Sequence, residues 1–274
     1  MQNYLMKYGN DCVSRLSSNI SRAKKSSDAR NIHSLRLNVK KINALFGFLE
    51  ILDITLIPKE TLKRIDSLYR ISGQLRDAQI QIQILKKFKK IAPDDVQKAL
   101  RYFSKHKKKA QNKLKKKSSR ISNKNLLGVR ERLTTCIKGL DNNTLKIKCI
   151  DYANETLTLI KNIISRRPDE ELLHRMRIYL KVLIYILDIL LKMKEDIAID
   201  KPSLKLLNTI QQKVGEWHDL DLLYQRLNQK LVQKGKYSSL VPLIENYRKE
   251  CEEEIYLMLK DIIDLKVSLN RIAN

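Results

Sequence analysis

Two segments of this chain carry the same polar signature on helices that are otherwise apolar. In the first, from Asp28 to Leu52 (DARNIHSLRLNVKKINALFGFLEIL), His33, Arg36 and Lys40 stand at positions i, i+3 and i+7. On a helix turning 100° per residue they fall within about 60° of one another. Leu35, Val39, Ile42, Phe46 and Leu49 fall on the opposite side, roughly 160° to 240° round from His33, where a core-facing stripe belongs. The second segment, from Asp169 to Leu191, repeats the spacing with His174, Arg177 and Lys181, against a stripe of Met176, Leu180, Leu183, Leu187 and Leu190. Asp28 and Asp169 precede the two histidines by the same distance and are placed to cap their helices. A single helix of this kind ordinarily presents nothing more than a solvated basic face. Recurrence of H-x-x-R-x-x-x-K after 141 residues, in a chain with four histidines, is a different matter, because a solvated face has no reason to recur.

Further matched features follow in the same order. Lys24 and Lys25 are answered 142 residues later by Arg166 and Arg167. Ile71-Ser72-Gly73-Gln74-Leu75-Arg76-Asp77 is answered, again after 142 residues, by Lys213-Val214-Gly215-Glu216-Trp217-His218-Asp219, so both halves carry G-x-x-x-D. Such periodicity implies duplication of a unit of four or five helices. Gly139, Asp141, Asn142 and Asn143 form the turn between the copies, giving one repeat over residues 1–140 and a second over 141–274. With 7 glycines and 5 prolines in 274 residues, few breakers interrupt the helical periodicity, and the fold class is all-α. Helical patterns run from Tyr4 to Lys25, from Lys59 to Lys90, from Pro93 to about Arg120, from Leu126 to Leu140, from Leu145 to Arg167, from Leu204 to Lys234 and from Ser239 to about Arg271. Gly73 and Gly215, inside two of them, are expected to permit close approach of a neighbouring helix, since a mid-helix glycine costs about 1 kcal/mol against alanine.

Charge narrows the partners. The chain holds 55 Lys+Arg against 30 Asp+Glu, a formal net charge of +25. Up to Leu140 the count is 33 against 10, and from Asp141 onward 22 against 20. A field this lopsided attracts polyanions. The densest stretch, Lys105 to Arg120 (KHKKKAQNKLKKKSSR), holds nine Lys/Arg with Ala110 and Leu114 as its apolar residues. It reads equally as a solvated charge run or as a helix whose Lys109, Lys113, Lys116, Lys117 and Arg120 line a binding groove.

Other chemistries find little support. Cys12, Cys136, Cys149 and Cys251 lack zinc-ligand spacing and read as ordinary thiols of a reducing cytosol. The N-terminal residues form no signal-peptide-like apolar run. The longest apolar run, Val182 to Leu187, is far short of the ~20 residues of a membrane span. No phosphate-binding glycine loop, nucleophile elbow or metal-spaced carboxylate cluster occurs, so no catalytic residue, metal ligand or cofactor is assigned. Asp77 and Asp219 are read as packing residues, Trp217 as a core anchor, and the ECEEE stretch from Glu250 to Glu254 as a solvated acidic face.

H-x-x-R-x-x-x-K-K at His33, Arg36, Lys40 and Lys41, H-x-x-R-x-x-x-K with Tyr185 and Asp188 downstream, and G-x-L-R-D at Gly73, Leu75, Arg76 and Asp77 together resemble the CHAD family, the conserved histidine α-helical domains. The resemblance spans essentially the whole chain. It implies two pseudo-symmetric helical bundles forming one compact unit, with a basic groove or pore shared between them. It also implies binding of inorganic polyphosphate and, in bacterial and archaeal members, association with polyphosphate granules. The second half departs from the family pattern at Val182 and Ile184, where arginines are usual, and His218 stands opposite Arg76. The first half is therefore expected to dominate ligand contact.

The expected function is non-catalytic binding of inorganic polyphosphate in the cytoplasm, through His33, Arg36, Lys40, Lys41, His174, Arg177 and Lys181, supplemented by Lys24, Lys25, Arg166, Arg167 and the Lys109 to Arg120 face. A linear polyphosphate has no base edge to read, and a line of Lys and Arg at helical spacing neutralises it while releasing counterions. Two alternatives stand beside this reading: a nucleic-acid-binding helical protein, and a phosphohydrolase or an accessory to a triphosphatase. The sequence specifies no oligomeric state.

Overall fold

The structure, a computed structural model, describes residues 2–51, 59–121, 123–166, 168–192, 197–198, 201–262 and 268–269. In chain order the helices are α1 (Gln2–Lys25), α2 (Ala29–Ile51), α3 (Lys59–Lys87), α4 (Pro93–Ser118), α5 (Asn123–Lys138), α6 (Asn142–Ile164), α7 (Glu170–Lys192), α8 (Lys201–Lys234) and α9 (Val241–Leu259). The fold is all-α. Two two-residue strands, β1 (Ile197–Ala198) and β2 (Ser268–Leu269), form a single antiparallel pair.

Helix boundaries follow local chemistry. Asp28 accepts a hydrogen bond from the backbone N–H of Asn31 at 2.8 Å, and Asp169 accepts one from Leu172 at 2.8 Å, so both aspartates satisfy otherwise orphaned donors at the first turn of α2 and α7. Pro93 opens α4 with Asp94 and Asp95 in its first turn, where carboxylates complement the helix dipole. Gly235, at φ +60°, ends α8 by adopting the left-handed conformation that a side chain disfavours.

The chain divides into two compact units, residues 1–142 and 143–274. Within the first, α1 packs against α2, α4 and α5, α2 against α3, and α3 most extensively against α4. Leu5, Leu16, Leu35, Val39, Leu45, Leu68, Leu75, Phe103 and Leu114 are fully or almost fully buried there. Each such side chain contributes about 1.5–3 kcal/mol relative to exposure. The start of α1 is tied to the end of the unit: Gln2 donates through its backbone N–H to Asn142 Oδ1 at 3.0 Å, and its side-chain amide donates to the carbonyl of Leu140. Within the second unit, α7 packs on α8 and α8 on α9. Leu173, Met176, Leu180, Leu183, Leu187, Leu190, Trp217 and Ile255 are fully buried there.

The last helix is shorter than the periodicity predicts. Instead of reaching Arg271, α9 ends at Leu259 and tightens into a 3₁₀ turn over Lys260–Ile262. Leu269 pairs with Ile197 and Ser268 with Ala198, so their backbone groups serve a strand ladder in place of a helix. All four cysteines are free thiols; Cys12, Cys149 and Cys251 are buried and Cys136, on α5, is half-buried.

Candidate functional site: a cationic cluster between two helices

Helix α2 fixes the first histidine through its N-terminal cap and its buried stripe. Its cap, Asp28, also accepts hydrogen bonds from Ser26 Oγ and Asn31 Nδ2, each at 3.0 Å. The backbone N–H of Asn31 is the main cause of an Asp28 carboxyl held below the usual carboxylate range. Leu35, Val39, Ile42, Phe46 and Leu49 are buried, as the helical wheel requires. The opposite side therefore carries His33, which is exposed, with Arg36 and Lys40 half-buried beside it.

The neighbouring face of α3 completes this cluster. Tyr69, Gly73 and Arg76 stand at i, i+4 and i+7, hence on one side of the helix. Arg36 Nη1 donates to the carbonyl of Tyr69 at 3.1 Å, and its guanidinium carbon lies 4.5 Å from the centre of the Tyr69 ring. Partial desolvation, followed by the charges of Arg76, Lys40 and Arg36, lowers the His33 pKa below its ordinary 6.5. The charges acting on this imidazole are cations from both helices. Arg76 was absent from the set of candidate ligands, although its place in the G-x-L-R-D run was a visible signal. Lys41, in that set, exerts its charge on Cys12 of α1.

Gly73 differs from the packing glycine expected. A Cβ built there would lie 2.8 Å from Arg36 Nη1, so what occupies the space is a guanidinium from α2 rather than a closely approaching backbone. At Gly215 a Cβ would meet nothing within 4 Å, so close helix approach does not account for that glycine.

The Lys-rich stretch is ordered as helix through Ser118. Val96, Ala99, Phe103, Ala110 and Leu114 form its buried stripe. Lys105, Lys108, Lys109, Lys113, Lys115 and Lys116 are exposed, as is Arg120 just beyond the helix, while Lys107 and Lys117 are half-buried. Among the described residues no carboxylate pairs with the six exposed lysines; the nearest pairing on this helix, Lys98 with Asp95 at 3.7 Å, lies at its start. Lys24 is half-buried and Lys25 exposed in the last turn of α1, and Arg166 is exposed in the turn after α6. Arg167 lies outside the described residues.

The second histidine has different company. His174 Nε2 lies 3.4 Å from Oδ2 of Asp221, a carboxylate with 1 % exposure. The imidazole meets Trp217 and His218 edge-on, at centroid distances of 5.1 and 4.8 Å. Asp221 also accepts a hydrogen bond from Gln225 Nε2 at 2.8 Å and one from Arg248 Nη1 at 3.5 Å; Arg248 in turn pairs with Glu170 and lies over the Tyr224 ring. Burial and the Glu170 charge raise the Asp221 carboxyl above the ordinary carboxylate value, against the opposing pull of Arg248 and His174. Arg177 and Lys181 are half-buried further along α7.

Sequence reasoning missed this acidic network. At the 142-residue offset Asp221 stands where the first half has Gln79, a buried neutral side chain whose Nε2 donates to the Ser27 carbonyl at 3.1 Å. A residue-by-residue overlay of the repeats would have exposed that exchange of amide for carboxylate. Arg248 gave no comparable signal. The acidic stretch of α9 is engaged within its own unit, since Glu254 accepts from Lys213 Nζ at 2.5 Å and Glu252 from the Tyr256 hydroxyl at 2.7 Å. Among the described residues, no group of three or more His, Cys, Asp or Glu is placed to hold a metal ion. Likewise among them, no helix is long and apolar enough to cross a membrane.

Comparison with known proteins places this architecture. The family model for the CHAD domain matches residues 7–228, and the chain belongs to the CHAD domain family. The crystal structure of the CHAD domain from the plant Ricinus communis superimposes with a TM-score of 0.74 at 17% identity, covering 98% of this chain and 94% of that one. PptA from Streptomyces chartreusis superimposes with a TM-score of 0.63 at 9% identity, covering 96% and 98%. At these identities the two structures share its fold. No curated protein matches the chain by sequence.

Proposed function

We propose that this protein is a non-catalytic receptor for inorganic polyphosphate and that its task is to hold or organise that polymer, granules included. The observation that carries the reading is the surroundings of His33: Arg36, Lys40 and Arg76 converge on it from two helices, and their charges all push the same way. Like charges brought together raise each other's energy, and an anion placed among them lowers it. A chain of phosphates supplies such anions repeatedly, and Arg adds hydrogen bonds to phosphate oxygens that Lys alone cannot match in geometry.

The exposed lysines of α4 extend the same chemistry along a helix face, where each contact releases a counterion. Aromatic residues do not alternate with these lysines, as a stacking surface for single-stranded nucleic acid requires. In the second unit the buried Asp221 already faces His174 and Arg248, which supports a lesser share of ligand contact for that unit.

Competition tests the reading. Long-chain polyphosphate is expected to displace short duplex and single-stranded nucleic acid from the protein at equal charge concentration, and not the reverse. Displacement of polyphosphate by nucleic acid would establish the nucleic-acid reading instead. Turnover of polyphosphate or triphosphate with divalent metal, lost in His33→Ala, would overturn the non-catalytic assignment.

A further inference from the structure

We infer that Gly73 and Tyr69 are positioning residues: together they form a slot on α3 that sets the guanidinium of Arg36 in one orientation beside His33. Three observations meet at this slot. Arg36 Nη1 donates to the Tyr69 carbonyl at 3.1 Å, which anchors one corner of the planar fork. The guanidinium carbon stands 4.5 Å from the Tyr69 ring centre, so the ring attracts the cation. The missing side chain at Gly73 leaves the space that Nη1 fills, because a Cβ there would lie 2.8 Å from that nitrogen.

The consequence is a fixed receptor. A guanidinium carries five N–H donors and one of them is spent on Tyr69, which leaves the others on a rigid fork. An unheld arginine would have to be ordered on binding, at a cost in side-chain entropy that this slot removes beforehand. Glycine inside α3 is intrinsically unfavourable for the helix, and what it gives in return is the space that Nη1 fills. The glycine at the matching place of the second unit, Gly215, has open space around it and makes no such slot.

The inference rests on the polyanion-binding reading, and two separate measurements keep their fates apart. In the ligand-free protein the Arg36 side-chain N–H resonances, shifted by the Tyr69 ring, are expected to move toward random-coil values in Gly73→Ala and to stay in place in Gly215→Ala. With long-chain polyphosphate as the probe, Gly73→Ala is expected to weaken binding about tenfold, the scale of one charge-assisted hydrogen bond. Arg36→Ala should do the same, and adding Gly73→Ala to Arg36→Ala should cost nothing further, since the slot then has no occupant. The double variant should also melt at a higher temperature than Arg36→Ala alone, because alanine is the better helix former. Unmoved Arg36 resonances, or additive losses of affinity, would overturn the positioning role. Absence of polyphosphate binding by the unaltered protein would overturn the proposed function and leave the slot to be judged by the resonances.

Discussion

The ring of His33 stands among Arg36, Lys40 and Arg76, whereas the ring of His174 faces the buried carboxylate of Asp221. The two histidines matched in sequence are therefore opposite in electrostatic setting. A pKa lowered from 6.5 means that, between the lowered value and 6.5, the unfolded chain holds a proton at His33 that the folded chain lacks. Folding stability accordingly decreases as pH falls through that window. A bound anion works in the other direction by favouring the imidazolium, so binding is coupled to proton uptake. Affinity for long-chain polyphosphate should rise as pH is lowered through 6.5, and His33→Ala should flatten most of that rise. Isotherms across the window, with an NMR titration of the His33 ring, measure both; a pH-independent affinity in the unaltered protein would contradict the coupling.

At the scale of helices, what the sequence made legible was what depends on periodicity and caps. The stripes of α2 and α7, the roles of Asp28 and Asp169, the Pro93 start and the burial of Trp217 all follow from local spacing and appear as read. The Lys-rich stretch was ambiguous because a run of lysines is compatible with coil; Ala110 and Leu114 resolve it by packing as part of one stripe with Phe103. The slot made by Tyr69 and Gly73 and the pairing of Asp221 with Arg248 were illegible, since each joins residues of different helices whose contact no periodicity encodes. The exposed face of α4 makes a quantitative expectation. Replacing Lys109, Lys113 and Lys116 together by Gln should reduce the slope of log affinity against log salt by about two, at roughly 0.7 per phosphate contact for a single strand. Thermal stability should barely change, because exposed substitutions of this kind are worth within about 0.5 kcal/mol. An unchanged salt slope would remove α4 from the binding surface.

For the molecule as a whole, the unequal charge of the two halves sets the expected division of labour. With 33 Lys+Arg against 10 Asp+Glu up to Leu140 and 22 against 20 beyond it, the long-range field that would attract a polyanion comes from the first half. Arg36→Ala and Lys40→Ala should each weaken polyphosphate binding about tenfold, close to the lower end of the ~1.5–3 kcal/mol range for hydrogen bonds to charged groups. Arg177→Ala and Lys181→Ala should cost less, and equal losses in a binding titration would show that the halves contribute alike. The placement of the sulfur atoms offers a practical route to these measurements. Burial holds the Cys149 thiol up at about 12 and the Cys251 thiol at about 11, and also raises Cys12, so three of the four sulfurs stay protonated at neutral pH and shielded from reagents. A maleimide dye should accordingly attach once per native chain, at Cys136 on α5, and four times after denaturation, a difference that intact-mass spectrometry resolves. The wild-type chain thus comes with a single address for a fluorophore, in the same compact unit as His33 and α4, from which a polymer's arrival could be watched without altering any codon.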